Sequence, residues 1–324
     1  MNDPRTRVEE RLAHHSWGAL SSQGCVLGLD IGSYGLRASL VDLHQNTFTT
    51  QQRDISVGEP DALVKEAIDL GHVLLKEKQI APDHLVRIGV GFGGPVNARR
   101  GIVIRSPRMP GWEDYPLAAR IEEAFDTATL VDNDANLIAL AEATFGVGRD
   151  VHDLFYLHLS SGVGGGLVLN GKLYHGAATM AGEIGHAVVG QFDPLRPDGP
   201  PATLEERVSI RGLLARAGSL GMATNLLSDI FGNNPVGQQV VGEAVELLAV
   251  RLSQIIALID PQMVVLGGAV ARSGGDTFIH AIEERMVDYM ESLIERPVPI
   301  LASVLGFESV AIGGVALALE SMDE

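Results

Sequence analysis

The stretch CVLGLDIGSYGLRASLVDL, residues 25–43, decides the fold. Residues 25–31 run apolar almost without a break, the pattern of a buried strand, and residues 36–43 repeat it. GSYG, residues 32–35, supplies the turn between them. Asp30 closes the first strand. A carboxylate beside a glycine-rich turn is a poor direct partner for phosphate. It makes sense where it orders water around Mg2+, an ion that takes carboxylate, phosphate and water oxygens. An Asx-type hydrogen bond that shapes the turn is the plainer role for the same residue.

Outward from this hairpin, strand and helix patterns alternate. Residues 61–78 have helical periodicity. RIGVGF (87–92) reads as a strand followed by the Gly93-Gly94-Pro95 turn, and LAARIEEAF (117–125) as a helix. ATLVDND (128–134) is a strand with a polar end, and 136–146 a helix closed by Gly146. Residues 154–160 and 165–176 suggest further strands, with Asn170-Gly171 a strong hairpin signal. Residues 242–260 form a long helix, apolar over most of its faces and so buried, with Pro261 ending it. A strand at 263–268 and a last helix at 311–322 complete the pattern. Such alternation in each half predicts an α/β protein of two lobes. The residues ahead of Cys25 read as a polar leader with one short helix around Val8 to His14.

Composition removes several function classes. Hydrophobic residues make up 46% of the 324 and charged residues 20%, which fits a globular chain with a sizeable core. The formal net charge is −17, and no run of Lys and Arg forms a basic patch. Such a surface repels nucleic acid and anionic membranes. Cys25 is the only cysteine, so no intramolecular disulfide and no cysteine-rich metal site is possible. No segment is apolar for long enough to be a signal peptide or a bilayer span. The expected compartment is the cytoplasm.

Three strand ends carry glycines: LDIGSYG, HLSSGVGGG and VLGGAV. Gly32 and Ser33, then Ser161, Gly162 and Gly164, then Gly267 and Gly268 let backbone N–H groups approach an anion closely. Any one of them alone reads as an ordinary tight turn. Three together, with an acid at the first, point to phosphate. None has the spacing of a dinucleotide fingerprint or a P-loop, so a nucleotide is held another way. VDNDAN places Asp132, Asn133, Asp134 and Asn136 after a buried strand. That pattern suits an N-cap for the next helix, and equally a carboxylate that accepts a proton from a hydroxyl. In AGEIGH, Glu183 and His186 stand three apart, a spacing that suits a metal or a polar ligand.

Taken in order, LGLDIGSYGLRASLVD, GFGGPVN, VDNDANLIALAEATFG, SSGVGGGLVLNGKLYHGAATMAGEIGH, LEERVS and DPQMVVLGGAV resemble the ROK family of bacterial sugar kinases, repressors and uncharacterised relatives. The resemblance runs from about Cys25 to the C-terminus. It implies the actin/hexokinase-like (ribonuclease H-like) fold, two α/β lobes on mixed five-stranded sheets that close over a cleft holding nucleotide and sugar. The lobes implied are 25–132 with 305–324, and 133–304. The function implied is transfer of the ATP γ-phosphate to a hexose or N-acetylhexosamine hydroxyl, with Mg2+. Asp134 matches the catalytic base, Asn133 a hydroxyl contact, and Glu183, His186 and Glu205 the sugar ligands. Gly94 brings backbone to the ring. Asp30, Gly32, Ser33, Ser161, Gly162, Gly164, Gly267 and Gly268 line the nucleotide side. Dimers are common in the family, so a homodimer is expected.

The chain departs from the family in three places. Most members follow the histidine with three cysteines that complete a zinc site; here GQFDPLRPDGPPATLEE follows. No structural zinc is expected, and Pro194, Pro197, Pro200 and Pro201 stiffen the loop instead. The first turn reads Ser33-Tyr34 where kinases carry Gly and Thr, and Arg108 stands where glucokinase-like members carry Asn. The altered turn favours a second reading, a sugar-sensing regulator or pseudokinase without phosphoryl transfer. A sugar-binding scaffold with another partner is the third. The residues before Cys25 contain no recognisable helix-turn-helix, so a DNA-binding repressor is not expected.

Overall fold

The opening hairpin forms as its sequence reads. β1 (Cys25–Gly32) and β2 (Gly35–Asp42) pair antiparallel, with Asp30 opposite Arg37. β1 is buried at every position up to Ile31 because it is covered on both faces. Leu27, Leu29 and Ile31 pack with Leu63, Leu70 and Leu74, whereas Val26 packs with Ile312, Val315 and Leu319. The computed structural model describes residues 3–14, 24–32, 35–55, 58–106, 109–190, 201–290 and 297–322.

Around that hairpin lie α1 (Pro4–His14), β3 (Thr47–Arg53), α2 (Pro60–Glu77), β4 (Leu85–Phe92), β5 (Val96–Asn97), β6 (Ile102–Val103), α3 (Leu117–Phe125), β7 (Thr129–Asn133) and α4 (Asp134–Thr144). Then follow β8 (Leu154–Leu159), β9 (Val163–Leu169), β10 (Lys172–Leu173), α5 (Leu204–Val208), α6 (Ile210–Ser219), α7 (Leu227–Ile230) and α8 (Pro235–Ile259). The last elements are β11 (Met263–Gly267), α9 (Gly268–Met290), β12 (Ile300–Ala302) and α10 (Ser309–Glu320). Two five-stranded sheets result, ordered β3-β2-β1-β4-β7 and β10-β9-β8-β11-β12. Each opens with an antiparallel three-strand meander and adds two parallel strands. The same topology is therefore built twice.

The chain divides into two compact units. The first comprises Met1–Asp150, His175–Thr179 and Val304–Glu324, and the second Val151–Tyr174 and Met180–Ser303. Glu142, fully buried in α4, fixes the chain's return to the first unit. One carboxylate oxygen accepts the N–H of Val304 at 2.9 Å and the other that of Val147 at 3.1 Å. α8 is longer than its periodicity suggested. Asn234 caps it by accepting from the Gly237 N–H at 2.6 Å, Pro235 suits the first turn, and Asp260 ends it in the left-handed region. Among the described residues no helix is long and apolar enough to cross a membrane.

α1 starts at Pro4 and is docked. Val8 and Leu12, 0% and 3% exposed, join Phe48, Leu140, Phe145 and Ile312 in one core. Glu9 also accepts the N–H of Phe48 at 3.3 Å. A Leu12→Ala variant is expected to lose roughly 2–5 kcal/mol of unfolding free energy in a urea titration. A solvated leader would show almost no change.

Candidate functional site

β1, β4 and β7 run parallel, so their carboxyl ends lie side by side. Asp30 faces Gly91, Gly91 faces Asp132, and Phe92 faces Asn133. Asp30, the Gly93-Gly94 turn and the Asp132–Asp134 segment are thus gathered at one edge of one sheet, where open α/β sheets bind ligands. α4 begins directly after β7. Its N-cap is Asn133, whose side-chain oxygen accepts the Ala135 N–H at 2.9 Å. The Asn133 amide donates to the Gly94 carbonyl at 2.9 Å, tying this turn to the Gly-Gly-Pro turn. Asp134 is the first helical residue and is half-buried, and its Oδ1 also accepts from Ala135 N–H, at 2.8 Å. Its Oδ2 lies on the side of Gly93, where a methyl group would stand 3.5 Å away.

Asp30 is 6% exposed and paired with Arg37, Nη1 to Oδ2, at 3.1 Å. Burial pushes its carboxyl up to about 7; Arg37 opposes the rise and the charge of Asp134 adds to it. Against the pull of Arg37, burial thus shifts the balance toward the neutral form. Its stabilising contribution is complete below the ordinary value of 3.8 and is lost as pH rises through about 7. Asp30→Asn is expected to flatten the fall in unfolding free energy across that window, as measured by denaturant titrations at a series of pH values. Gly32 ends β1 beside Asp30, with a Cβ position 3.3 Å from its Oδ1. Ser33, Tyr34 and Arg108 lie outside the described residues, as do Pro194, Pro197 and Pro200.

The second unit gathers the remaining predicted residues by close backbone approaches. Glu183 precedes a single 3-10 turn, Ile184–His186, and its carboxylate is 3.7 Å from the His186 imidazole, which is 70% exposed. Gly185 abuts β9 so tightly that a methyl group would stand 2.1 Å from the Val163 carbonyl. Glu205 sits on α5 and accepts the Val163 N–H at 2.9 Å, directly after the Ser161-Gly162 turn. The Gly267-Gly268 turn closes in from β11, and a methyl at Gly268 would meet the Leu159 carbonyl at 2.2 Å. Gly164 and Gly267 flank His158 in neighbouring strands. Glu183, His186, Glu205 and both glycine turns are thus one neighbourhood.

The described residues on either side of 191–200 are joined without cysteines. Val189 N–H donates to Ala202 O at 2.9 Å and Leu204 N–H to Ala187 O at 2.8 Å. Thr203 and Glu206 form a reciprocal capping box that starts α5. These bonds position Glu205. Among the described residues no group of three or more His, Cys, Asp or Glu is arranged to hold a metal ion.

The profile of the ROK family matches residues 26–321. The chain belongs to the ROK family. Its relatives include both kinases and regulators. It is 26% identical to the xylose repressor of Caldicellulosiruptor bescii, over 92% of this chain and 79% of that protein. It is 25% identical to the glucokinase of Thermotoga maritima, over 91% of this chain and 97% of the other. The crystal structure of the ROK hexokinase from Thermus thermophilus superposes with a TM-score of 0.81 at 26% identity, covering 93% of this chain and 100% of that one. The ROK fold of this chain is the actin/hexokinase-like one.

Arg37 and His175 hold site carboxylates; the sequence marked Arg37 only as a feature resembling the family's regulators and gave His175 no role. Arg37 faces Asp30 through strand register, a signal available once the hairpin is drawn. His175 meets Asp132 across 43 positions, and nothing local announces it.

Proposed function

We propose that this ROK protein is a sugar kinase that transfers the ATP γ-phosphate to a hexose or N-acetylhexosamine hydroxyl. The observation that carries the reading is the turn from β7 to α4. It sets Asp134 half-buried at the sheet edge, next to Asn133 and the Gly93-Gly94 turn. A hydroxyl hydrogen-bonded to Asp134 gives up its proton to that carboxylate as its oxygen attacks the γ-phosphorus and ADP leaves. Asn133 and the backbone at Gly94 orient the ring. In the second unit, Glu183, His186 and Glu205 are read as hydroxyl partners that penalise a wrong epimer. Ser161, Gly162, Gly164, Gly267 and Gly268 are read as the phosphate cradle.

The charge of Asp134 raises the Asp30 carboxyl, a repulsion that a hydrated Mg2+ nearby would relieve. Asp30 would order water of its hydration shell. When bound, the ion would neutralise charge on the phosphates. A cytoplasmic homodimer fits the family resemblance and the acidic surface.

A second reading, a sugar-sensing regulator without phosphoryl transfer, is favoured by the Asp30–Arg37 ion pair, which already occupies the carboxylate at the first turn. The similarity to a xylose repressor supports it too. A coupled assay with ATP, Mg2+ and a hexose panel separates the two. Turnover of one hexose supports the kinase. Calorimetric sugar binding with neither turnover nor ATP binding supports the regulator.

A further inference from the structure

Asp132 is the carboxylate of this edge that the proposed chemistry leaves unused. Its side chain is 3% exposed, and a buried carboxylate is costly unless fully partnered. Oδ1 accepts the Asn133 N–H at 2.7 Å and the Asn136 amide at 2.9 Å. The Oδ1 of Asn136 is itself buried with no partner among the described residues. Oδ2 meets Nε2 of His175 at 2.5 Å, a short charge-assisted contact. The imidazole is 29% exposed.

The origin of His175 gives this pair its interest. Residues 151–174 and 180–303 form the second unit, but 175–179 pack with the first. The segment is tied there twice, by His175 on Asp132 and by the Thr179 hydroxyl, which donates to the Val96 carbonyl at 3.3 Å. Glu183 follows a few residues on.

We propose that His175 is a positioning residue for Asp134: through Nε2 on Asp132 it clamps the turn from β7 to α4, most tightly as an imidazolium and less tightly as the neutral Nε2–H donor. The inference rests on the kinase reading for its effect on turnover. Its structural part stands apart from that reading. The path is short: Asp132 holds the Asn133 N–H, Asn133 caps α4 and grips Gly94, and Asp134 is the next residue. The charged groups facing His175 are Asp132 from β7, Glu320 from α10 and Arg99 from the turn after β5. The hydrogen bond to Asp132 raises the imidazole above the usual histidine value, burial opposes this, the charges of Asp132 and Glu320 add to it, and Arg99 opposes it. The clamp is thus tightest at acidic pH and weakens to that of a neutral donor as pH rises through that elevated value.

The test uses the full chain with glucose and ATP-Mg as probes. His175→Leu, which cannot donate, is expected to lower kcat/KM about tenfold or more at every pH, mostly through kcat. His175→Gln donates without charge at every pH, so it should hold kcat near the wild type's alkaline value and lose the alkaline limb of the pH profile. Asp132→Asn should return the His175 titration, read by NMR, toward an ordinary histidine. Wild-type kcat in the Leu variant, or an unchanged alkaline limb in the Gln variant, overturns the proposal. Should the Leu variant fail to fold, the Gln profile and the Asp132→Asn titration decide alone. If the wild type phosphorylates no sugar, the kinase reading fails and the amide resonances of Asn133 and Asp134 decide the clamp. Resonances that follow the His175 titration uphold it, and resonances that ignore it overturn it.

Discussion

Asp134→Asn is expected to bind sugar and scarcely phosphorylate it, with kcat lowered roughly 10²–10⁴-fold, the range for losing a positioned general base. The substitution is nearly isosteric. Its side-chain oxygen still accepts the Ala135 N–H, now at 2.8 Å, and Asn133 still caps α4, so the fold has no reason to change. What disappears is the capacity to take up a proton and to orient the hydroxyl as a donor. A coupled kinase assay measures the loss, and titration calorimetry with the same sugar checks that affinity survives. Turnover close to wild type would remove Asp134 from the mechanism.

Gly89→Ala is expected to be among the most damaging one-methyl changes, costing about 3 kcal/mol or more of stability. Gly89 lies in β4 where α10 crosses the sheet. A methyl group there would stand 2.0 Å from the Gly314 carbonyl oxygen and 2.7 Å from its carbon. The same crossing brings Gly28 against Ala311 O, at 1.9 Å for a methyl, and α10 meets α4 as closely, Gly313 against Leu137 O at 2.1 Å. Backbone on both sides leaves no rotamer by which to yield, so helix and sheet must separate. The last helix covers β1 and β4, whose ends carry the candidate site, and activity should fall with stability. Gly242→Ala in α8 is the control. Nothing lies within 4 Å of its Cβ position, and helix propensity favours alanine by about 1 kcal/mol. Urea titrations of the two variants should move in opposite directions.

Much of the framework was legible because it rests on local pattern. The largely apolar runs read as strands at 25–31, 87–92 and 263–268 fall on β1, β4 and β11, and helix α3 falls where its periodicity places it. Asn170 and Gly171 both have positive φ, as a two-residue hairpin turn requires. β3 was missed because TFTTQQR has one fully buried side chain, Phe48, and its edge position comes from pairing with β2. α9 was missed because Gly275 interrupts it at φ 59°. α1 was legible as a helix but not as a docked one, since its two buried residues gain their value only against Phe48 and Ile312.

The sequence by itself determined the alternation of strands and helices, the acid and amide residues of the candidate site and, through ordered motifs, the ROK resemblance. These are properties of neighbours along the chain, set by strand and helix periods and by turn chemistry. Arg37 on Asp30 follows from the register of one hairpin, whereas tertiary structure alone decided that Glu205 holds Val163 and that His175 holds Asp132. Each is a charge whose partner is chosen by burial. Removing a carboxylate from water makes a matching donor necessary, but which distant residue supplies it depends on how the sheets and helices pack.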